Sequence, residues 1–167
     1  MRTLTRLFAC GLAVFALTAC DDHDHDHDHE HGEDLTAEAC EHGANGPFES
    51  VQAASAEMAP AIQGFEHSRV DITLLAEADG NGGSVAFNVG AEGDYVFFLS
   101  ADVPLAFSDD TGSSIAVEST ATIDACAEIA VSYTVELAPG VATLTFGPTD
   151  ATEVGLVFEA AGAHDHE

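Results

Sequence analysis

The feature that most constrains the fold is a two-residue alternation of apolar side chains. Its cleanest example places five apolar residues at alternate positions, Ile129, Val131, Tyr133, Val135 and Leu137. Successive side chains of a β-strand point to opposite faces, so this pattern predicts a strand with one buried face. A helix would instead bring together residues three or four apart.

Similar short segments recur along the chain, with turn residues between them. They cover residues 70–74, 85–89, 95–99, 105–107, 115–117, 142–146 and 154–158, and the turns fall at residues 79–83, 91–94, 109–112, 139–140 and 147–148. Seven or eight strands at this spacing predict an all-β fold, an antiparallel β-sandwich of jelly-roll or immunoglobulin-like type. The alanine-rich residues 49–61 are compatible with a strand, a short helix ending at Pro60, or a loop.

Residues 21–31 read Asp-Asp-His-Asp-His-Asp-His-Asp-His-Glu-His and are called the His/Asp segment below. With no apolar side chain to bury, the segment predicts disorder. Imidazole nitrogen and carboxylate oxygen are ligands that Zn²⁺ accepts. In an extended chain the histidines lie about 6.6 Å apart on one side, so the chain must curl around an ion. We predict several interchangeable metal sites, with the ligands His23, His25, His27, His29 and His31. A solvated acidic spacer is the alternative.

The first residues resemble an export signal. Arg2 and Arg6 precede an apolar stretch, residues 7–19, which is too short to span a bilayer as a helix and is typical of a signal peptide. It ends in Leu17-Thr18-Ala19-Cys20, which resembles the lipobox of bacterial lipoproteins. The resemblance implies that Cys20 becomes the N-terminus and carries diacylglyceryl and N-acyl chains. The protein would then be lipid-anchored in the bacterial cell envelope, on its periplasmic or extracellular face.

This interpretation divides the chain into four parts. Residues 1–19 form the signal peptide, and residues 20–38 form a lipidated, disordered acidic linker. Residues 39–160 form the sandwich domain. Residues 161–167 are a second disordered tail, the C-terminal tail, in which His164 and His166 are further candidate metal ligands.

The chain is strongly acidic, with 30 aspartates and glutamates against three basic residues, all arginine. Once the signal peptide is removed, Arg69 alone is set against all 30 acids, and the net charge with neutral histidine is −29. Phosphate groups would be repelled, so nucleic acids are excluded as partners and anionic lipid headgroups are disfavoured. Cations are the small partners that such a surface attracts.

Two cysteines remain for the domain, since Cys10 lies in the signal and Cys20 is the lipid site. An oxidising compartment favours a disulfide between Cys40 and Cys126. It would close a loop of about 86 residues and stabilise the fold by about 3–5 kcal/mol. The alternative is a metal site of Cys₂His type that uses His42 or His67.

His42 and His67 are the histidines inside the predicted domain. Each follows an acid, Glu41 and Glu66 respectively. We interpret both as exposed loop residues, because the sequence gives no distance between them. The alternative is a structured site in which they join Glu41 or Glu66.

Other motifs favour turns over sites. Asp79-x-Asn81 opens like a calcium loop, but Ser84 and Gly90 stand where that loop needs glycine and glutamate. Residues 109–112 also favour an ordinary β-turn. The chain lacks Gly-x-Ser-x-Gly, His-Glu-x-x-His and a phosphate loop, so the sequence predicts no enzyme.

Two further resemblances bear on function. The His/Asp segment is similar to segments of bacterial zinc-uptake binding proteins and periplasmic zinc scavengers, which implies capture of Zn²⁺, with Ni²⁺, Co²⁺ and Cu²⁺ as alternatives. Soft sulfur ligands are scarce, which disfavours Cu(I). Residues 84–119 resemble the pre-peptidase C-terminal type of bacterial β-sandwich, which implies a small non-catalytic domain.

These patterns predict a membrane-anchored metal-binding lipoprotein that acts as a buffer or scavenger. Binding should weaken as pH falls through the ordinary histidine pKa of about 6.5, because protons compete for the imidazoles. One alternative is a cell-surface interaction module in which the His/Asp segment is only a spacer. Another is a sensor whose loaded segment docks on the sandwich.

Overall fold

The computed structural model describes residues 31–62 and 67–161. These residues form one α-helix, α1 (His31–Asn45), a 3₁₀ helix (Ala56–Met58) and twelve strands. The strands are β1 (Phe48–Gln52), β2 (Ala61–Ile62), β3 (Arg69–Thr73), β4 (Leu75–Glu77), β5 (Gly80–Val89), β6 (Gly93–Leu99), β7 (Leu105–Ser108), β8 (Ser114–Ile115), β9 (Ser119–Thr122), β10 (Val131–Leu137), β11 (Gly140–Thr149) and β12 (Glu153–Ala161).

Several predicted features lie outside the described residues. They are the signal peptide, Cys20, the His/Asp segment up to residue 30, Glu66, and residues 162–167 with His164 and His166. Within the described ranges, no helix combines the length and the apolar character that a membrane crossing requires.

The strands form two six-stranded sheets that pack face to face. The first sheet has the order β1-β3-β12-β6-β10-β9, and the second has the order β2-β5-β11-β7-β8, with β4 also paired to β5. Side chains from both sheets share one buried apolar cluster. The predicted all-β sandwich is therefore confirmed.

Aromatic rings join the two sheets at the centre of this core. Phe87 of the second sheet lies edge-on to Tyr95, Phe97 and Phe158 of the first, with ring centroids 5.7, 5.3 and 4.7 Å apart. Edge-to-face pairs at such distances add attraction beyond the area that they bury. The inner layer therefore fixes how the sheets sit on one another.

The prediction of seven or eight strands is wrong, because the described residues contain twelve. All eight alternating segments include strand residues, and β1, β2, β4 and β9 are additional. β9 is exposed at every residue, so it has no apolar alternation to detect. β1 and β2 fall in the alanine-rich stretch whose structure the sequence left open.

Two details of the predicted strand arrangement are also wrong. The pairs β1–β3 and β2–β5 are parallel, so the sheets are mixed and not wholly antiparallel. Residues 147–148, predicted as a turn, lie within β11. There the pairing register with β5 shifts between Phe146 and Thr149, so these residues bend a strand without ending it.

The predicted acidic linker is shorter than expected, because α1 begins at His31 and not beyond Glu38. Leu35 and Ala39 of α1 are one helical turn apart and are buried against Phe98 and Val157 on the outer face of the first sheet. An apolar stripe of this kind gives a helix a stable place on a sheet. The acids around it directed the sequence prediction towards disorder.

The predicted disulfide is confirmed. Cys40 of α1 is bonded to Cys126, which lies in the segment between β9 and β10, with their Cα atoms 6.0 Å apart. Both thiols are used, so the alternative Cys₂His metal site is ruled out. The bond fastens the helix beside its apolar contacts with the sheet.

Replacing both cysteines by serine should lower the free energy of unfolding by about 2–5 kcal/mol, because the unfolded chain regains the entropy of an 86-residue loop. Urea denaturation of the variant and the parent protein measures the difference. Parent protein treated with a dithiol reductant is the matched control and should unfold at the same urea concentration as the variant. An unchanged midpoint in both samples would contradict the prediction.

Candidate metal site

His42 lies in the last turn of α1, on the face that meets the sheet. Leu35, Ala39 and His42 are spaced four and three residues apart, which places them on one side of the helix. The helix then stops, because Gly46 has a left-handed φ of +71° and its amide donates to the His42 carbonyl at 3.0 Å. His42 is consequently held, half-buried, at the helix end that faces the sheet.

The sheet supplies the other two residues of the site. β12 and β3 are antiparallel, with Gly155 opposite Asp71 and Leu156 opposite Val70. Glu159 lies three residues after Leu156 and His67 three residues before Val70, so both residues lie just beyond the end of this pairing. Phe158 points into the inner core, so Glu159 points outward, towards the helix.

His42, His67 and Glu159 converge at one point. His42 Nε2 is 3.2 Å from His67 Nδ1, and His67 Nδ1 is 3.9 Å from Glu159 Oε2. One ligand atom from each residue lies within 4.8 Å of the other two. Two nitrogens bound to a tetrahedral zinc at about 2.0–2.1 Å are about 3.3 Å apart. The histidine pair already has that separation. The carboxylate is 3.9 Å from His67 Nδ1 and would have to move closer to bind the same ion.

The surroundings of these residues favour a positive ion. The side chain of Glu159 is 2% exposed, whereas that of His67 is 48% exposed. A buried carboxylate is costly unless cations or hydrogen-bond donors face it. His42 also lies at the C-terminal end of α1, where unsatisfied carbonyls carry partial negative charge. The site is therefore anionic on its buried side and open to solvent beside His67.

His67 has an uncommon backbone conformation. Its φ is +72°, in the left-handed region. Among the described residues, no other non-glycine residue has a positive φ. This conformation costs an ordinary L-residue about 1–2 kcal/mol. Strain of this kind concentrates at functional sites.

Arg69 holds the segments around the site together. Its Nη1 donates to the Gly43 carbonyl at 2.9 Å, directly after His42, and its Nε donates to Asp71 at 2.7 Å. The guanidinium also lies 5.8 Å from the Phe48 ring centroid. Gly155 leaves space for it, because a Cβ there would come within 2.5 Å of Nε. Arg69 thereby fixes the end of α1 against β3 and β12.

The interpretation of both histidines as exposed loop residues holds for His67, which lies exposed in the turn before β3, and is wrong for His42, which is half-buried. His42 is helical, and the two rings lie with centroids 5.0 Å apart. Among the described residues, the acid of the cluster is Glu159 and not Glu41, which is exposed, and Glu66 lies outside the described residues. Glu159 is 92 residues from His67, and only the pairing of β12 with β3 brings them together. The sequence did contain a signal for the helix. Leu35, Ala39 and His42 have helical spacing, and the helix-ending residues Asn45-Gly46-Pro47 follow them.

Of the two predicted turns, residues 109–112 form one, whereas only Asp79 of residues 79–83 lies in a turn, because β5 begins at Gly80. Asp79 lies in the turn between β4 and β5, and Asn81 donates to the Asp150 carbonyl at 3.3 Å. In the second turn, the Thr111 hydroxyl donates to Asp109 Oδ1 at 2.7 Å and lowers the pKa of that carboxyl, with a further contribution from the Ser113 amide. Asp109 therefore serves the turn itself.

No protein-family model matches the chain. No curated protein matches it either. The lipobox, zinc-scavenger and pre-peptidase resemblances therefore stay predictions, and function has to be argued from the site.

Replacing Gly155 by alanine should lower the free energy of unfolding by about 1–2 kcal/mol, because the guanidinium of Arg69 must leave its bonds to Gly43 and Asp71. Gly90→Ala is the matched control, since a Cβ there meets nothing within 4 Å. Its effect should stay within about 0.5 kcal/mol. Urea denaturation measures both variants, and equal stabilities would mean that Arg69 relocates without loss.

Proposed function

We propose that this protein is a lipid-anchored zinc-binding protein of the bacterial cell envelope that buffers or scavenges divalent metal ions, without catalysis. The observation that carries the proposal is the cluster of His42, His67 and Glu159, whose ligand atoms lie within 4.8 Å of one another. The lipobox at Cys20 supports the anchor, and the His/Asp segment supports a larger metal capacity.

The donor set favours zinc. Two imidazoles and one carboxylate form a common three-residue set for Zn²⁺, which accepts tetrahedral geometry without preference from its d electrons. Cu²⁺ binds nitrogen and oxygen more tightly in general but prefers tetragonal sites. Ni²⁺ and Co²⁺ remain alternatives on ligand chemistry. The strong negative charge of the chain raises the local concentration of any of these cations.

Two kinds of site would then operate together. In the folded cluster, the nitrogens of His42 and His67 are 3.2 Å apart, which is close to the separation of two nitrogens bound to one tetrahedral zinc ion. The His/Asp segment must order itself around each ion and therefore binds more weakly. Such a protein holds one ion tightly and several loosely, which is the behaviour of a buffer.

The five histidines of the His/Asp segment can be replaced by serine without changing its length, which gives the five-serine variant. Isothermal titration with Zn²⁺ at pH 7.5 should show several ions bound by the parent protein and one by the five-serine variant. Equal binding by both would support the interaction-module alternative, in which the segment is only a spacer. Absence of binding by the five-serine variant would contradict the folded site.

Within the five-serine variant, His42→Ala, His67→Ala and Glu159→Gln should each weaken zinc binding by at least about tenfold, since each removes one ligand. Glu153→Gln is the matched control, because Glu153 lies exposed on the same strand as Glu159. A control variant that loses as much affinity as Glu159→Gln would show that overall charge, and not the cluster, holds the ion.

Zinc binding by the five-serine variant should weaken as pH falls from 8 to 5.5. The two imidazoles must be neutral to bind the ion, so protons compete with zinc and are released when it binds. Titrations in buffers of different ionisation enthalpy measure the number of protons released. Constant affinity over this range would contradict ligation by His42 and His67.

A further inference from the structure

We propose that strand β9 is a docking edge for an extended, positively charged segment of a partner protein, which joins the first sheet as an added strand. This inference goes beyond the proposed function and does not depend on metal binding. β9 is the last strand of the first sheet, and among the described strands it pairs with β10 alone. A strand with one neighbour has main-chain groups on its open side that can pair with another chain.

The open main-chain groups of β9 can be assigned from its pairing with β10. The Ile123 amide donates to the Ala130 carbonyl at 2.9 Å, and these two residues continue the register of β9 on β10. In an antiparallel pair, opposite residues exchange hydrogen bonds at every second position. Ala121 and Ile123 therefore bond to β10, whereas the N–H and C=O groups of Thr120 and Thr122 are directed away from it.

β9 lacks the features that usually protect an edge strand. Its sequence, Ser-Thr-Ala-Thr, contains no charged residue and no proline, and all four residues are exposed. Natural edge strands commonly carry a charge or a proline that prevents pairing with another chain. The opposite edge of the same sheet, β1, carries Glu49. β9 is therefore the edge of this sheet that is better suited to accept a further strand.

A groove beside β9 provides space for side chains of the added strand. It lies between α1 and β9 on the outer face of the first sheet and has a volume of about 220 Å³. Apolar side chains such as Val96 and Ile123 line it together with hydroxyl groups, and none of its described lining residues is charged. Ser119 and Ala121 form its wall at β9. Both are small, so apolar side chains of an added strand can lean over them into the groove.

The charges at the two ends of β9 favour a basic partner. Glu118 directly precedes the strand and Asp124 follows it, and both residues are exposed. They are six residues apart, which is about 20 Å in an extended chain. A partner segment with lysine or arginine at positions six residues apart can place one cation near each acid. A second copy of this chain is a poorer occupant, because its 30 acids are set against three basic residues.

The test uses a fluorescein-labelled heptapeptide, Lys-Val-Thr-Val-Thr-Val-Lys, whose binding to the parent protein is measured by fluorescence anisotropy. Thr120→Pro should weaken binding at least about tenfold, because it removes an outward N–H and places a ring at the open edge. The bonds to β10 are kept, since proline is tolerated where the N–H of an edge strand faces solvent. Thr120→Val keeps the N–H, and this matched control should bind as the parent does.

The contribution of charge is measured separately. Glu118→Gln combined with Asp124→Asn should weaken binding at least about threefold at low salt, and the difference should shrink as salt is raised. Glu92→Gln combined with Asp94→Asn removes the same charge from exposed residues elsewhere in the chain and should have a smaller effect. The peptide Lys-Val-Pro-Val-Pro-Val-Lys has the same charge but lacks two main-chain donors, and it should bind at least about tenfold more weakly.

Equal peptide affinity of the Thr120→Pro and Thr120→Val variants would overturn the inference, and so would absence of binding by the parent protein. Dimerisation of the parent in sedimentation experiments that Thr120→Pro abolishes would assign the edge to a second copy and also overturn it. Equal urea midpoints of the two variants exclude unfolding as the cause of a lost affinity. Zinc titration of Thr120→Pro should match that of the parent, because β6 and β10 separate β9 from β12.

Discussion

The packing of α1 on the outer face of the first sheet is the contact on which the rest of the site depends. Leu35 and Ala39 are buried against Phe98 and Val157, and the bond from Cys40 to Cys126 secures the same helix covalently. Without this contact, Glu159 would face solvent and His42 would have no fixed position. The sandwich core forms from the inner faces of the strands. The helix adds a second apolar cluster on the outer face of the first sheet, and it also brings His42 close to Glu159.

Much of the sandwich follows from the sequence, because inward-facing side chains must alternate. All eight alternating segments contribute strands, and the predicted apolar positions within β5, β10 and β12 are all buried. The alternation cannot identify a strand that is exposed throughout, such as β9, or one that is only two residues long, such as β2. It also cannot tell parallel from antiparallel pairing, which depends on how distant segments meet.

The site was less accessible to sequence reasoning for a related physical reason. The two histidines could be named as candidates, but the acid beside them comes from β12, and 30 acids offered no way to choose among them. Glu159 is distinguished by its burial and by its position just beyond the pairing of β12 with β3. Both properties arise from long-range pairing and from the helix above the sheet. The helix itself was not predicted, because the acidic composition of its first residues indicated a disordered linker.

Two local energetic costs meet at this point of the molecule. A carboxylate is buried on the outer face of a sheet, where an apolar side chain would pack at least as well, and burying a charge costs several kcal/mol before compensation. Beside it, His67 adopts a left-handed backbone conformation that glycine would adopt without strain. Other described parts of the fold follow ordinary rules, among them the alternating strands, the glycine-ended helix and the hydrogen-bonded turn at Asp109. These two costs lie within a few ångströms of each other and support the proposed metal site.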